Sequence, residues 1–434
     1  MRLAHRFLPL GALPAALAWA SRTESEQAPD RRRVQAAVVL FRHGARSPVF
    51  HLPGGDAEQQ YATLQAPPAG AAAVTVEGGK AYTRTSPPGS PGLLTEVGWA
   101  QGVALGHRLR SRYGPPGEVR VRSSDVSRTV LTANAVLTGL YGDHRAHEPT
   151  TIEVVLGSIF TIDPVCPPLT AMLTRGRAGH RAQDADNATA RAAVEQSFGP
   201  AYHASRCTLL AVHDDCIARR FAGVPPTQAV DVSLCDLASR EAAREVRAAL
   251  VEGGGHSAQL SSGRLCGELS RHLQALAGDA AKSGAPAHAA SSASDGPDSR
   301  TALVLLSGHD TMLLGLLNVL DPEGKRVRHG EWPPHASSLA VELLDDRSVC
   351  SEFHPGLLPP SSHTYEPPPQ PSSPSSFLLH IRTSSPLSHG RPYTSTCTTV
   401  LGSSLGSSHL PESLCPPTAC AHQKSGLSCA PWQL

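Results

Sequence analysis

The sequence predicts an α/β fold: a mostly parallel sheet flanked by helices, carrying a helical insertion domain. Three observations predict it. Apolar runs at 34–41 (VQAAVVLF) and 302–307 (ALVLLS) have the length and composition of strands buried on both faces. Helical apolar spacing follows in 93–113, 127–140 and 310–320. Between these blocks, residues 180–220 and 238–278 are rich in Ala, Arg and Glu, with apolar positions three and four apart, as amphipathic helices require.

Taken in order, residues 1–20 read as a signal peptide. Arg2 and Arg6 precede a mostly apolar stretch, and Ala18-Trp19-Ala20 is a small-x-small cleavage site, so the mature chain is expected to start near Ser21. The first part of the α/β core is assigned to 34–150. It opens on the strand 34–41 and continues through a long Ala-, Gly- and Pro-rich loop over 51–92, of the kind that forms substrate walls. Leu93–Tyr113 is predicted helical, 118–125 (EVRVRSSD) alternates as a strand, and Ser127–Leu140 is a second helix. The helical insertion is assigned to 151–285, with Arg240–Val251 and Arg264–Leu276 as its clearest helices and a linker over 279–300. The second part of the core spans 300–345. There the strand 302–307 leads to a helix opening on Asp310, and SLAVELL (338–344) is a further strand. Residues 355–434 lose both periods, turn Pro- and Ser-rich, and read as a disordered tail.

Composition narrows the function. Hydrophobic residues at 40% are enough to build a core, which excludes disorder throughout. Lys and Arg total 38 against 37 Asp and Glu, so there is no general basic field for nucleic acid or an anionic membrane. Beyond the N-terminus nothing approaches the length of a membrane span. On a secretory route the 10 cysteines become candidates for disulfides, and Asn187-Ala188-Thr189 becomes a candidate glycan acceptor.

The chemistry concentrates in two loops. Arg42-His43-Gly44-Ala45-Arg46-Ser47-Pro48 follows one buried strand, and Ser307-Gly308-His309-Asp310-Thr311 follows another and opens a helix. Ligands of open α/β sheets bind at the carboxyl ends of strands. Two guanidinium forks beside an imidazole suit a phosphate dianion, and Gly44 allows close backbone approach. Arg122, in VRSSD, is taken as a third guanidinium. The set fits phosphoryl transfer through a covalent histidine: His43 attacks phosphorus, the arginines balance the equatorial oxygens, and Asp310 protonates the leaving alkoxide. No metal or cofactor is implied, because the arginines supply the positive charge. Of the 21 histidines, most are expected on the surface or in loops, since no metal-binding spacing is present. His213-Asp214-Asp215 reads as a solvated helix face.

On these motifs the chain resembles the histidine acid phosphatase family, the branch that includes prostatic and lysosomal acid phosphatases and phytases. RHGxRxP stands at 42–48, the family's central arginine is matched to Arg122 in VRSSDVSRT, and its HD motif to His309-Asp310. The resemblance implies His43 as nucleophile, Asp310 as proton donor, and Arg42, Arg46, Arg122 and His309 as phosphate ligands. It implies an acid phosphatase acting on phosphate monoesters, secreted or in the lysosomal lumen, with a homodimer as a possible assembly. A phytase-like inositol polyphosphate phosphatase and a non-catalytic phosphate-binding module are the alternatives. Lys80 and Arg84 are the only cations noted in the 51–92 loop, which favours small or varied monoesters over phytate. The family usually has a cysteine near Ser338 that pairs with the one matching Cys216. Its loss here leaves Cys216 either unpaired or bonded elsewhere, for instance to Cys207. Cys166 matches a family cysteine whose partner lies near the C-terminus.

Overall fold

The computed structural model describes residues 33–50, 52, 61–79, 90–115, 118–142, 149–155, 166–200, 208–224, 230–282, 301–320, 332–345, 348–356 and 377–381. The signal-peptide segment, Lys80, Arg84, Cys207 and most of the Pro/Ser-rich tail lie outside them.

The first buried run forms β1 (Val34–Arg42). Its side chains alternate between two cores, as the two-residue period of a strand demands. Ala36, Val38 and Leu40 enter one apolar cluster and Ala37, Val39 and Phe41 the other. The remaining strands are β2 (Val74–Glu77), β3 (Val119–Ser124), β4 (Thr150–Val155), β5 (Ala302–Gly308), β6 (Ser338–Leu344), β7 (Val349–His354) and β8 (Phe377–Ile381). They form one sheet in the order β2-β4-β3-β5-β1-β6-β7-β8. The run from β2 to β1 is parallel, and β6, β7 and β8 are antiparallel additions.

Helices α1 (Glu96–Tyr113) and α2 (Ser127–Tyr141) cover one face, burying Leu105, Leu109, Val130 and Val136 against it. The other face is covered by α7 (His256–Lys282) and α8 (Asp310–Leu320), through Leu265, Leu269, Leu313 and Leu316. Between the two halves of the core lie α3 (Pro167–Gln183), α4 (Ala185–Phe198), α5 (Leu209–Ala222) and α6 (Val232–Val251). Ala190, Val194, Val212, Leu234 and Ala238 give this helical part its own core.

The structure differs from the sequence reading at the sheet edges. The 51–92 stretch contains β2, whose four residues are too few to establish a period. β4 straddles the expected start of the insertion at 151. In the expected disordered tail, Phe377–Ile381 forms β8, pairing Val349 with Ile381 and Phe353 with Phe377. FLLHI is a short apolar run in a Pro/Ser background, and pairing covers the backbone groups that β7 would otherwise leave bare. The expected linker at 279–300 begins later, because α7 continues to Lys282.

Two covalent expectations are also revised. Cys216 is neither unpaired nor bonded to Cys207: it forms a disulfide with Cys235, joining α5 to α6. Cys166, at the start of α3, is disulfide-bonded as well. Asn187 is fully buried in the first turn of α4, so the sequon is not presented for glycosylation in this fold. No helix among the described residues is long and apolar enough to cross a membrane.

Candidate functional site

Strand order builds the site. β3, β5 and β1 are adjacent and parallel, so their carboxyl ends emerge together. Arg42 stands opposite Gly308, and Ser123 opposite Ser307. The loops at 42–48 and 309–310 therefore begin side by side, although about 260 residues separate them. β6 runs antiparallel to β1, with Phe41 opposite Ser338, so its amino end lies at the same edge. That delivers Trp332 and His335 to the site.

The loop after β1 is fixed from both sides. The Arg42 amide donates to Ser337 O at 2.9 Å, and the His43 amide to Gly308 O at 3.0 Å. Gly44 donates to Thr132 Oγ1 at 3.1 Å, and the Ala45 amide to Gln101 Oε1 at 2.8 Å. The glycine is required for packing: a Cβ at Gly44 would lie 2.2 Å from Gly98 O in α1. Thr95 caps that helix, accepting from the Gly98 amide at 3.1 Å and donating to Ala45 O at 3.0 Å.

His43 is 1% exposed. Its Nδ1 lies 2.8 Å from Gly44 O. A carbonyl oxygen only accepts, so Nδ1 carries the ring proton and Nε2 keeps its lone pair. Burial, then the charges of Arg128, Arg42 and Arg46, hold the imidazole well below its ordinary pKa, so it is neutral across the physiological range. Its ring centroid lies 5.5 Å from that of His309 and 5.4 Å from that of His335. His309 is pushed down to about 3 by burial and by Arg128, and its Nε2 lies 3.0 Å from Ser124 Oγ.

Asp310 opens α8 and lies 2.8 Å from Arg42 Nη2. Burial pushes its carboxyl up, but Arg42, Arg46 and His309 outweigh that and hold it below the usual carboxylate range. It is therefore ionised, paired with Arg42. Arg42 also donates through Nη1 to Pro333 O at 2.6 Å.

The structure thus brings together Arg42, His43, Arg46, His309 and Asp310. It does not bring Arg122 to them. Arg122 lies mid-strand in β3, opposite Leu306, and its side chain leaves on the α7 face. There its guanidinium pairs with Glu268 and, at 3.0 Å, with Glu153. The third guanidinium of the cluster is Arg128, in the first turn of α2, four residues past the end of β3. It has the largest electrostatic effect on both His43 and His309. Burial, then Arg46, lowers Arg128 itself to about 9, which leaves it charged at neutral pH. The Nε atoms of Arg42, Arg46 and Arg128 are all buried without a hydrogen-bond partner among the described residues. Three converging cations with open donors form a receptor for a compact polyanion.

His213-Asp214-Asp215 is not a solvated face, because all three are buried. Asp214 Oδ1 lies 2.6 Å from Arg46 Nη2, and its Oδ2 accepts from the Val49 amide at 2.6 Å and the Phe50 amide at 3.2 Å. Asp215 pairs with Arg219 at 2.7 Å. The His213 ring lies tilted against Trp332, centroids 4.8 Å apart, and burial pushes it down to about 4. His335, 1% exposed, meets Phe221 edge-on at 5.0 Å. The expectation of a solvated His213 therefore fails, and His335 is buried although it lies in the loop before β6.

Residues 33–201 match the family model described as histidine phosphatase superfamily (branch 2). Lysophosphatidic acid phosphatase type 6 of Bos taurus is 33% identical over 153 residues, which is 29% of this chain and 36% of that protein. The Pongo abelii protein of the same name is 26% identical over 372 residues, covering 74% of this chain and 77% of its own length. Lysosomal acid phosphatase of Xenopus laevis is 31% identical over 117 residues, 25% of this chain and 21% of that one. The chain thus spans about a third of the bovine relative and about three quarters of the Pongo abelii one. Among solved structures, the apo phytase of Hafnia alvei aligns over 75% of this chain and 85% of its own, at 15% identity and a TM-score of 0.41. The Bifidobacterium longum multiple inositol polyphosphate phosphatase, in complex with inositol hexasulfate, aligns over 76% and 88%, at 10% identity and a TM-score of 0.43.

Proposed function

From the match of residues 33–201 to the histidine phosphatase superfamily (branch 2), we propose that the chain hydrolyses phosphate monoesters through a covalent phosphohistidine on His43. The observation that carries this reading is the His43 tautomer. Nδ1 is committed to Gly44 O, which leaves an unprotonated Nε2 beside Arg42, Arg46 and Arg128.

In the first step the Nε2 lone pair attacks phosphorus, the bond to the ester oxygen breaks, and that oxygen takes a proton from Asp310. In the second step water, giving a proton to the Asp310 carboxylate, attacks phosphorus, the P–N bond breaks, and phosphate, neutral His43 and the protonated Asp310 are regenerated. Arg42, Arg46 and Arg128 bind the phosphoryl oxygens throughout, and His309 lies against the same group.

Asp310 needs a proton to act as the acid, yet beside Arg42 it is ionised. A phosphate group drawn to Arg42 weakens that pairing and sets negative charge beside the carboxylate, and both effects raise its pKa. Activity is therefore expected to be highest in acid and to fall as the pH rises. Lysosomal or secreted placement accords with the Cys216–Cys235 disulfide.

The substrate is assigned to monoesters of small or lipid alcohols. The test is turnover of p-nitrophenyl phosphate, lysophosphatidate and phytate between pH 4 and pH 9. Release of phosphate from the first two, declining toward alkaline pH, supports the assignment. Preference for phytate redirects it to inositol polyphosphates, and no turnover of any ester leaves a binding module.

A further inference from the structure

We propose that His180, Asp184 and Glu241 form a binding site for a divalent transition-metal ion of the Zn²⁺ class, which fastens three helices of the insertion to one another. The site shares no residue with the cluster around His43.

His180 lies in the last turn of α3, Asp184 is the residue between α3 and α4, and Glu241 comes from α6. One donor atom from each lies within 4.8 Å of the others. Glu241 is 0% exposed, and its Oε2 is buried without a hydrogen-bond partner. His180 Nε2 is likewise buried and without a hydrogen-bond partner, 3.8 Å from that oxygen. The gap is too long for a hydrogen bond. Two orphaned polar atoms facing each other in a buried place are costly unless a third group satisfies both.

The rest of the cluster is already oriented for that group. Glu241 Oε1 accepts from Arg244 Nη1 at 2.7 Å, which turns Oε2 toward His180. Asp184 Oδ1 accepts from the Asn187 amide at 3.1 Å, and its Oδ2 lies 3.7 Å from His180 Nδ1. Each carboxylate thus has one oxygen held by a partner and the other turned to the His180 ring, Glu241 toward Nε2 and Asp184 toward Nδ1, with the outer hydrogen bonds that orient metal ligands.

The separations suit zinc. Donors at 2.0–2.2 Å from a tetrahedral ion lie about 3.4 Å apart. The gap from His180 Nε2 to Glu241 Oε2, 3.8 Å, is near that spacing, and one donor atom from each of the three residues lies within 4.8 Å of the others, so a small rotation of the side chains closes the set on one ion. One imidazole nitrogen, two carboxylate oxygens and a water complete four-coordination. An imidazolium bridging the carboxylates by itself would draw both oxygens to about 2.8 Å. Neither is that close.

The test uses the full chain, stripped with a chelator and titrated with Zn²⁺ by calorimetry and thermal melting, and with Co²⁺ by visible absorption. Asp184→Asn retains a good helix N-cap and removes the anionic ligand. His180→Gln removes the nitrogen ligand. Wild type should bind Zn²⁺, melt higher with it, and show the intense visible bands of low-coordinate Co²⁺. Each variant should weaken that binding at least tenfold and lose the bands. Failure of wild type to bind, or equal binding and equal bands in Asp184→Asn, overturns the proposal. Should His180→Gln not fold, Asp184→Asn alone decides.

Discussion

Arg46 and Asp214 meet at 2.6 Å, an ion pair that ties the loop after β1 to a helix 168 residues later. Both are buried, at 8% and 7% exposure. Without Asp214, Arg46 would stand as an uncompensated charge in the empty site. Asp214→Asn should therefore destabilise the ligand-free protein by about 3 kcal/mol. Inorganic phosphate can replace the lost negative charge, so it should raise the melting temperature of the variant more than that of wild type. Equal phosphate shifts in both would show that Arg46 does not face the anion.

The two arginines of VRSSDVSRT should separate cleanly. Arg128→Ala is expected to lower kcat/KM by about 10²–10³-fold, the usual cost of removing a preorganised donor at a developing charge. Arg122→Ala should leave kcat/KM within a few-fold of wild type and cost about 1–3 kcal/mol of stability, because Glu268 and Glu153 lose a partner. Steady-state kinetics with a chromogenic ester, together with denaturant melts, measure both. The reverse pattern would return the third cation to Arg122.

Acid should weaken the empty protein. Folding holds His213 at about 4 and His309 at about 3, below the ordinary 6.5, and keeps His43 and His335 low as well. Below pH 6.5 the unfolded chain binds protons that the folded site refuses, so stability is full above that value and falls as the pH drops toward the folded values. For His213 the loss is on the order of 3 kcal/mol by pH 4. Asp310 acts in the same direction at lower pH: its depressed pKa stabilises the fold above the ordinary carboxylate value, and that contribution is lost as the pH falls further. Melting temperature should decline steadily from pH 7 to pH 4. A flat or rising profile would mean that these groups are not buried neutral.

The Cys216–Cys235 bridge closes a short loop, with a sequence separation of 19. On loop-closure grounds it contributes about 3 kcal/mol. Replacing both cysteines with Ser should lower the melting temperature by several degrees. An unchanged melt would place the bridge outside the cooperative unit.

The sequence reading located the sheet centre and the two loops because their signals are local. β1 and β5 are uninterrupted apolar runs, and a His beside Arg or Asp at the end of such a run has few other uses. Their pairing, Arg42 opposite Gly308, is not written in either run: it comes from the strand order, which sets β5 beside β1 across about 260 residues. Alternation places Arg122 at the end of its strand, and the resemblance points to the same residue in VRSSDVSRT. The strand in fact runs on to Ser124, which leaves Arg122 inside it and gives the position past its carboxyl end to Arg128. Asp214 and His335 had no such signal. One acts from a helix of the insertion, and the other arrives only because β6 runs antiparallel and presents its amino end. β8 was hidden by its surroundings, five residues whose strand character depends on pairing with β7.

The most direct test of the central claim is the activity of His43→Ala on p-nitrophenyl phosphate at pH 5, with folding verified by an unchanged melt. The account predicts a loss in kcat of about 10³-fold or more, because the attacking Nε2 is removed. Turnover within tenfold of wild type would contradict it, because phosphate would then be released without a covalent histidine.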